Sequence, residues 1–202
     1  FRRVLFRSGT LNAGAGATLL FTGNGGTHSV NALMTGAGTY AFNNNGTSSV
    51  TGSYTGNSTL SVSNGTVTFN ASTAMTPGAI VLTGGTTSFN SAQAVSTASL
   101  TLSSATMAGS GNMTLTGSGT MNSSVLTGSG TLTIGAGASF VTTGPNTQVW
   151  SGGRVVENLG SLTFAGPQSV RLDTGGATVN NKATGVVTFR SEEHTSELQS
   201  RG

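Results

Sequence analysis

Thr59-Leu60-Ser61-Val62-Ser63-Asn64-Gly65-Thr66-Val67-Thr68-Phe69 decides how this chain is read. Successive side chains on a β-strand point to opposite faces. Leu60 and Val62 therefore share one face, and Thr59 and Ser61 the other. After Ser63-Asn64-Gly65, residue types that accept tight turns and positive φ, the alternation resumes with Val67 and Phe69 opposite Thr66 and Thr68.

The same pattern recurs on both sides: Ala17-Thr18-Leu19-Leu20-Phe21, Thr39-Tyr40-Ala41-Phe42, Ala79-Ile80-Val81-Leu82, Ser99-Leu100-Thr101-Leu102, Met113-Thr114-Leu115 and Thr131-Leu132-Thr133-Ile134. It closes with Ser161-Leu162-Thr163-Phe164, Val170-Arg171-Leu172 and Val186-Val187-Thr188-Phe189. Strand centres fall near Leu19, Tyr40, Leu60, Ile80, Leu100, Met121 and Phe140, a step of about 20 residues. A repeat of that length with two or three short strands per step predicts an all-β fold, a parallel β-helix (solenoid) in which each coil pairs with the next. Eight or nine coils at about 4.8 Å each make a rod on the order of 40 Å long. A β-sandwich or meander is the alternative, since regular short strands also suit it. Helix is expected only as a short turn around Ala92-Gln93-Ala94-Val95.

The two ends read differently. Residues 190–197, Arg-Ser-Glu-Glu-His-Thr-Ser-Glu, can be written AGA-TCG-GAA-GAG-CAC-ACG-TCT-GAA. The reverse complement, TTC-AGA-CGT-GTG-CTC-TTC-CGA-TCT, translates to residues 1–8, Phe-Arg-Arg-Val-Leu-Phe-Arg-Ser. One DNA element read in opposite directions thus accounts for both ends, and it resembles a sequencing-library adapter. Residues 1–8 and 190–202 are therefore excluded from the fold reasoning, which leaves 9–189 as the β-helix, expected to be a fragment of a longer protein. The adapter-like ends are expected to pack poorly, with a short helix from Glu192-Glu193 onward.

Without the ends the basic character largely disappears. Arg154, Arg171 and Lys182 face Glu157 and Asp173, three minus two, a net charge of +1. No charged residue lies between Ser8 and Arg154. Nucleic acid as a partner needs clustered Lys and Arg and is not expected. The chain has no cysteine, which excludes disulfides and thiolate metal sites. No apolar run reaches the roughly 20 residues of a membrane helix, so no transmembrane segment is expected here.

Tyr54-Thr55-Gly56-Asn57-Ser58-Thr59-Leu60-Ser61-Val62-Ser63-Asn64-Gly65-Thr66-Val67 resembles the strand repeat associated with bacterial autotransporters, Y-T-G-x-[ST]-T, four residues, then G-T-[LV]. The preceding half of that repeat, G-x-G-T-L-T-[LI]-x-G, is similar to Gly128-Ser129-Gly130-Thr131-Leu132-Thr133-Ile134-Gly135. Asn12-Ala13-Gly14-Ala15-Gly16-Ala17-Thr18-Leu19 is similar to linking coils of such passengers. The two halves are not consecutive here, and the matching stretches cover about a fifth of residues 9–189. The resemblance implies an exported, surface-displayed passenger or adhesin, secreted or at the bacterial cell surface. It implies no catalytic activity.

Glu157 and Asp173, with Arg154 and Arg171, form a charged cluster on neighbouring coils if the period holds. Paired carboxylates serve acid–base cleavage of sugars; a surface ion-pair cluster is the commoner arrangement. Trp150 either stacks on a sugar ring or caps the core. Trp150, Arg154, Glu157, Arg171 and Asp173 are together the candidate ligand patch. His28 reads as a solvated turn residue, because metal sites need several converging ligands. The Gly-x-Gly pairs at Gly14, Gly36, Gly109, Gly117, Gly128 and Gly135 lack the rest of any phosphate-binding motif and read as corners. Thr66/Thr68, Thr114/Thr116 and Thr131/Thr133 form Thr-x-Thr, the pattern some ice-binding solenoids stack on one face. N-x-[ST] tripeptides start at Asn45, Asn57, Asn64, Asn70, Asn112 and Asn122, as expected of so much Ser and Thr.

The expected role is non-catalytic, structural or adhesive, with host or surface glycans or proteins as partners and no cofactor. Self-association through uncapped coil edges is also expected. The alternatives are a non-catalytic stretch of a β-helical carbohydrate-active enzyme and an ice-binding solenoid.

Overall fold

A computed structural model describes residues 3–166, 170–173 and 175–190. Every strand pairing within it is parallel, and no α-helix occurs among the described residues. The strands stack on three faces. The first face holds β3 (Thr18–Gly23), the leading halves of β6 (Thr39–Val50) and β7 (Thr59–Phe69), and β8 (Ala79–Leu82). It continues through the trailing halves of β10 (Val95–Ser103) and β12 (Met113–Asn122), then β15 (Ser139–Thr143), β18 (Ser161–Phe164) and β21 (Val186–Phe189). That is nine rungs, about 40 Å at about 4.8 Å each.

The second face runs through β1 (Arg3–Phe6), β4 (Thr27–Val30), the trailing halves of β6 and β7, β9 (Thr86–Phe89), β11 (Thr106–Ala108), β13 (Val125–Leu126), β16 (Gln148–Trp150) and β19 (Val170–Leu172). The third begins with β2 (Thr10–Ala13) on β5 (Leu33–Gly36), thins to single bridges at Met34–Tyr54 and Met75–Val95, and resumes through β10, β12, β14 (Thr131–Ile134), β17 (Val155–Asn158) and β20 (Thr178–Asn181). The parallel β-helix expected from the 20-residue period is the observed fold, and the sandwich alternative falls away. Ala92 and Gln93 form a bend and Val95 opens a strand, so the expected helical turn is absent: apolar contact with the next coil outweighs weak local propensity.

The inward residues form columns. Leu19, Tyr40, Leu60, Ile80, Leu100, Gly119, Phe140, Leu162 and Val187 follow one another rung on rung. Two positions along each strand, Phe21 stacks on Phe42, ring centroids 4.5 Å apart, and Phe164 on Phe189 at 5.0 Å. Stacking like residues from coil to coil gives each side chain neighbours above and below, which is what solenoid stability rests on. The core runs the length of the rod; Leu60, Ile80, Leu132 and Phe140 are fully buried.

The coil length is not uniform. Thr39 pairs with Thr59 and Thr59 with Ala79, but Thr131 pairs with Val155 and Ser161 with Val186. Coils thus lengthen beyond Asn122, and the added residues lie in corners.

Arg3–Phe6 departs from the expectation that residues 1–8 pack poorly. It forms β1 against β4, and Phe6 meets Phe21 edge-on at 6.1 Å. An open parallel edge accepts any strand whose alternate residues are apolar, whatever the strand's origin. The expected helix at Glu192-Glu193 lies outside the described residues.

Two tyrosines tie the third face to the core. The Tyr40 hydroxyl accepts from Thr35 N–H at 2.8 Å and lies within donating reach of the Leu11 and Thr35 carbonyls. Ser58 donates to the Tyr54 hydroxyl at 2.8 Å. Burial pushes the Tyr54 hydroxyl up to about 12, against a smaller downward effect of Ser58, and burial raises Tyr40 as well. An unfolded tyrosine ionises near 10, so the folded state resists deprotonation. Stability is fully present below pH 10 and is lost as pH rises through 10 towards 12. For Tyr54 the loss is on the order of 2–3 kcal/mol. Urea unfolding on either side of about pH 10 is expected to show this decline, and Tyr54→Phe to reduce it. A midpoint constant to pH 12 would refute the assignment.

Candidate functional site

The proposed charged patch does not assemble. Trp150 is fully buried on β16, its indole N–H 3.3 Å from Met121 Sδ and its ring 5.7 Å from Phe164. It therefore belongs to the core and has no face to offer a sugar. Alternation on β16 puts Gln148 and Trp150 inward and Val149 outward.

Arg154 is also buried, 1% exposed, which corrects its placement on the surface. Val155 pairs with Thr131, so Arg154 sits one coil above Gly130. A Cβ on Gly130 would lie 2.9 Å from Arg154 Nη1 and 2.1 Å from the Gly111 carbonyl. The absent side chain of Gly130 leaves room that the guanidinium occupies. Its Nε donates to the Thr127 carbonyl at 3.1 Å, and its Nη2 donates to the Gly109 carbonyl, two coils below, at 3.1 Å and to Thr127 O. Burial pushes it down to about 10, so it stays cationic at neutral pH. Arg154 thus ties three coils together through main-chain carbonyls.

The remaining charges face outward on different faces. Glu157, on β17, pairs with Lys182 at 2.9 Å; Arg171, on β19, pairs with Asp173 at 2.6 Å. Both pairs are part-exposed, an arrangement of small energetic weight. Glu157 belongs to the third face and Asp173 follows the second, so the two carboxylates do not flank one cleft. Among the described residues no three of His, Cys, Asp and Glu converge as metal ligands.

His28 is not a solvated turn residue. It lies inward on β4, 4% exposed, edge-on to Phe21 at 6.0 Å, and neither ring nitrogen has a hydrogen-bond partner among the described residues. Gly109 and Gly128 behave as corners, stacking with Gly152 at φ of 110°, 91° and 71°, whereas Gly117-Ser118-Gly119 lies within β12 and Gly119 joins the inward column. Two of the N-x-[ST] asparagines are committed to a ladder, Asn64 donating to Asn45 and Asn45 to Asn24 at 3.0 Å.

The most regular surface is the outside of the second face. Register places Thr27, Thr47, Thr66, Thr86 and Thr106 in one unbroken column. Two residues on, Ser29, Ser49, Thr68, Ser88 and Ala108 form a second column beside it. The Thr27 and Thr47 hydroxyls are 3.5 Å apart. Five rungs at about 4.8 Å span about 19 Å. From Thr27 to Ala108 the two columns carry no charged or large side chain; the threonine column ends where Val125 and Val149 replace threonine, and Arg171 follows on the next rung. Of its members only Thr66 and Thr68 stand out as Thr-x-Thr. The signal for three of the other four rungs was Thr-x-Ser recurring at the coil period, at Thr27, Thr47 and Thr86, and a search for Thr-x-Thr alone passes over it.

The chain matches no family model, and neither curated proteins nor solved structures give a match. Among the described residues no helix is long and apolar enough to cross a membrane.

Proposed function

We propose that this chain is a non-catalytic structural and adhesive segment of an exported bacterial surface repeat protein. The observation that carries the reading is the pairing of a largely apolar core with outer columns of Thr and Ser that run from Thr27 to Thr106 without a charged side chain. A rod of this kind holds its shape without charged clusters and presents hydroxyls at fixed spacing to neutral, hydroxyl-rich surfaces such as glycans. Secretion or cell-surface display rests on the resemblance of residues 54–67 and 128–135 to the autotransporter repeat.

The test is glycan-array binding and polysaccharide hydrolysis run in parallel on the purified chain. Binding without hydrolysis is expected. Glu157→Ala and Asp173→Ala are expected to change stability and binding by no more than about 0–1 kcal/mol, the range for exposed ion pairs. Cleavage that disappears in either variant would replace this reading with the carbohydrate-active enzyme.

The hydroxyl double column favours a second reading, adsorption to ice. Hydroxyls and methyls repeating on a flat, rigid face match a crystalline water surface better than they match a flexible ligand. Inhibition of ice recrystallisation is the measurement. Thr66→Tyr, at the middle of the column, is expected to abolish it while leaving glycan binding elsewhere intact. An inactive wild-type chain would eliminate this reading.

A further inference from the structure

Three asparagines stacked on the outside of the rod each precede a glycine: Asn24-Gly25, Asn45-Gly46 and Asn64-Gly65. All three are exposed, at the corner where the chain passes from the first face to the second. Register aligns Asn64 with Gly84 on the next coil, so Asn64 ends the ladder. Asparagine is thermolabile. It is most so before glycine, where no side chain hinders the following nitrogen from reaching the asparagine's own Cγ.

The ladder does not hold its members alike. Asn45 is fixed at both ends of its amide: Nδ2 donates to Asn24 Oδ1 at 3.0 Å, and Oδ1 accepts from Asn64 Nδ2. Asn64 Oδ1 instead accepts from the Gly65 N–H at 2.8 Å. That bond sets the Gly65 nitrogen beside the carbonyl group it would attack. The register gives the reason. Asn43 pairs with Asn64 and Thr47 with Thr66, so Asn44, Asn45 and Gly46 bulge opposite Gly65 alone, and a bulge disrupts the local backbone ladder. Gly65 is also hard to replace. Its φ is 73°, and a Cβ there would lie 2.0 Å from the Asn44 carbonyl oxygen. Packing thus retains the residue that makes Asn64 reactive.

We propose that Asn64 is a site of spontaneous deamidation, and that the ladder shields Asn45 until Asn64 has reacted. The Gly65 nitrogen gives its proton to solvent base and bonds to Asn64 Cγ. The Cγ–Nδ2 bond breaks, and Nδ2 leaves as ammonia after taking a proton from water. Water then opens the five-membered imide at either carbonyl, giving aspartate or isoaspartate. Both products lack the Nδ2 donor on which Asn45 Oδ1 relies, so the Asn45 amide is released next. The new carboxylate is the first charge between Ser8 and Arg154, and it stands two residues before Thr66 of the hydroxyl column. The inference does not depend on what that column binds.

The test incubates the whole 202-residue chain at mildly alkaline pH, folded or in guanidinium chloride. Peptic digestion and mass spectrometry follow each site, and chromatography separates aspartate from isoaspartate. Asn45 and Asn64 both read Asn-Gly-Thr, so equal rates are expected in denaturant. In the folded chain Asn64 is expected to convert about 5-fold faster than Asn45, the order set by one further side-chain hydrogen bond to break. Asn64→Asp, which mimics the product, is expected to raise Asn45 conversion by a similar factor. Asn64→Ala removes the same donor without adding charge, and decides the matter if Asn64→Asp loses the wild-type circular dichroism. Equal folded-state rates at Asn45 and Asn64, an Asn64 that stays intact in the folded chain, or an Asn45 rate unchanged in the folded variant would overturn the proposal.

Discussion

Leu100→Asp is expected to destabilise the protein by several kcal/mol, and Leu60→Asp to do the same. Leu100 lies between Ile80 and Gly119 in the inward column and is 1% exposed; Leu60 lies between Tyr40 and Ile80 and is fully buried. Neither place stacks on a cationic side chain in its column, and burying an unpaired charge costs on the order of several kcal/mol even after the group neutralises. Coils touch only their neighbours, so damage starts locally and spreads along the stack. Amide exchange is expected to rise first in the coils flanking the substitution and later at the ends. Ser61→Asp is the control. It sits beside Leu60 but faces outward, and is expected to shift stability by no more than about 0.5 kcal/mol. Equal losses for Leu60→Asp and Ser61→Asp would mean the inward and outward faces are misassigned.

Arg154→Ala is the second large effect, expected at about 2–5 kcal/mol. Truncation takes the guanidinium donor from the Thr127 carbonyl, worth about 1–3 kcal/mol when buried, removes one of two donors from the Gly109 carbonyl, which keeps the Gly130 N–H at 3.3 Å, and opens a void beside Gly130. Arg154→Lys is expected to recover little. An ammonium lacks the planar fork that reaches carbonyls on two coils at once. Chemical denaturation checks the magnitude, and exchange at residues 127–130 checks the place. An Arg154→Ala protein that unfolds at the wild-type midpoint would show that the guanidinium contributes nothing to the corner.

Much of the fold was legible because its signals are local and repeated. Leu60 and Val62 against Thr59 and Ser61 define a two-sided strand within four residues, and the recurrence of that unit every 20 or so residues leaves few ways to bury all the apolar faces at once. The candidate site was less legible. Arg154, Glu157, Arg171 and Asp173 are close in sequence, and a shared patch follows if every polar side chain points out. Arg154 breaks that premise because the room for its guanidinium is left by Gly130, 24 positions earlier. His28 fails as a solvated turn residue because its phase on β4 turns it inward, and the phase of β16 gives Trp150 the core reading of its two alternatives. Whether a strand residue faces inward depends on its phase, but whether its polar atoms are left dry depends on the coils above and below.

By itself the sequence determined the period, the alternation and the low charge. Each of these is carried by residue type and spacing along the chain, and needs no knowledge of neighbours in space. Only the tertiary structure decided the three faces, the lengthened coils beyond Asn122 and the continuous column from Thr27 to Thr106. It also decided the room that Gly119 leaves for the Phe140 ring, where a Cβ would lie 2.4 Å from a ring carbon. These depend on the register between coils, a shift of one residue in which turns every side chain to the opposite face. That register is set by the fit of the whole stack, which no single coil specifies.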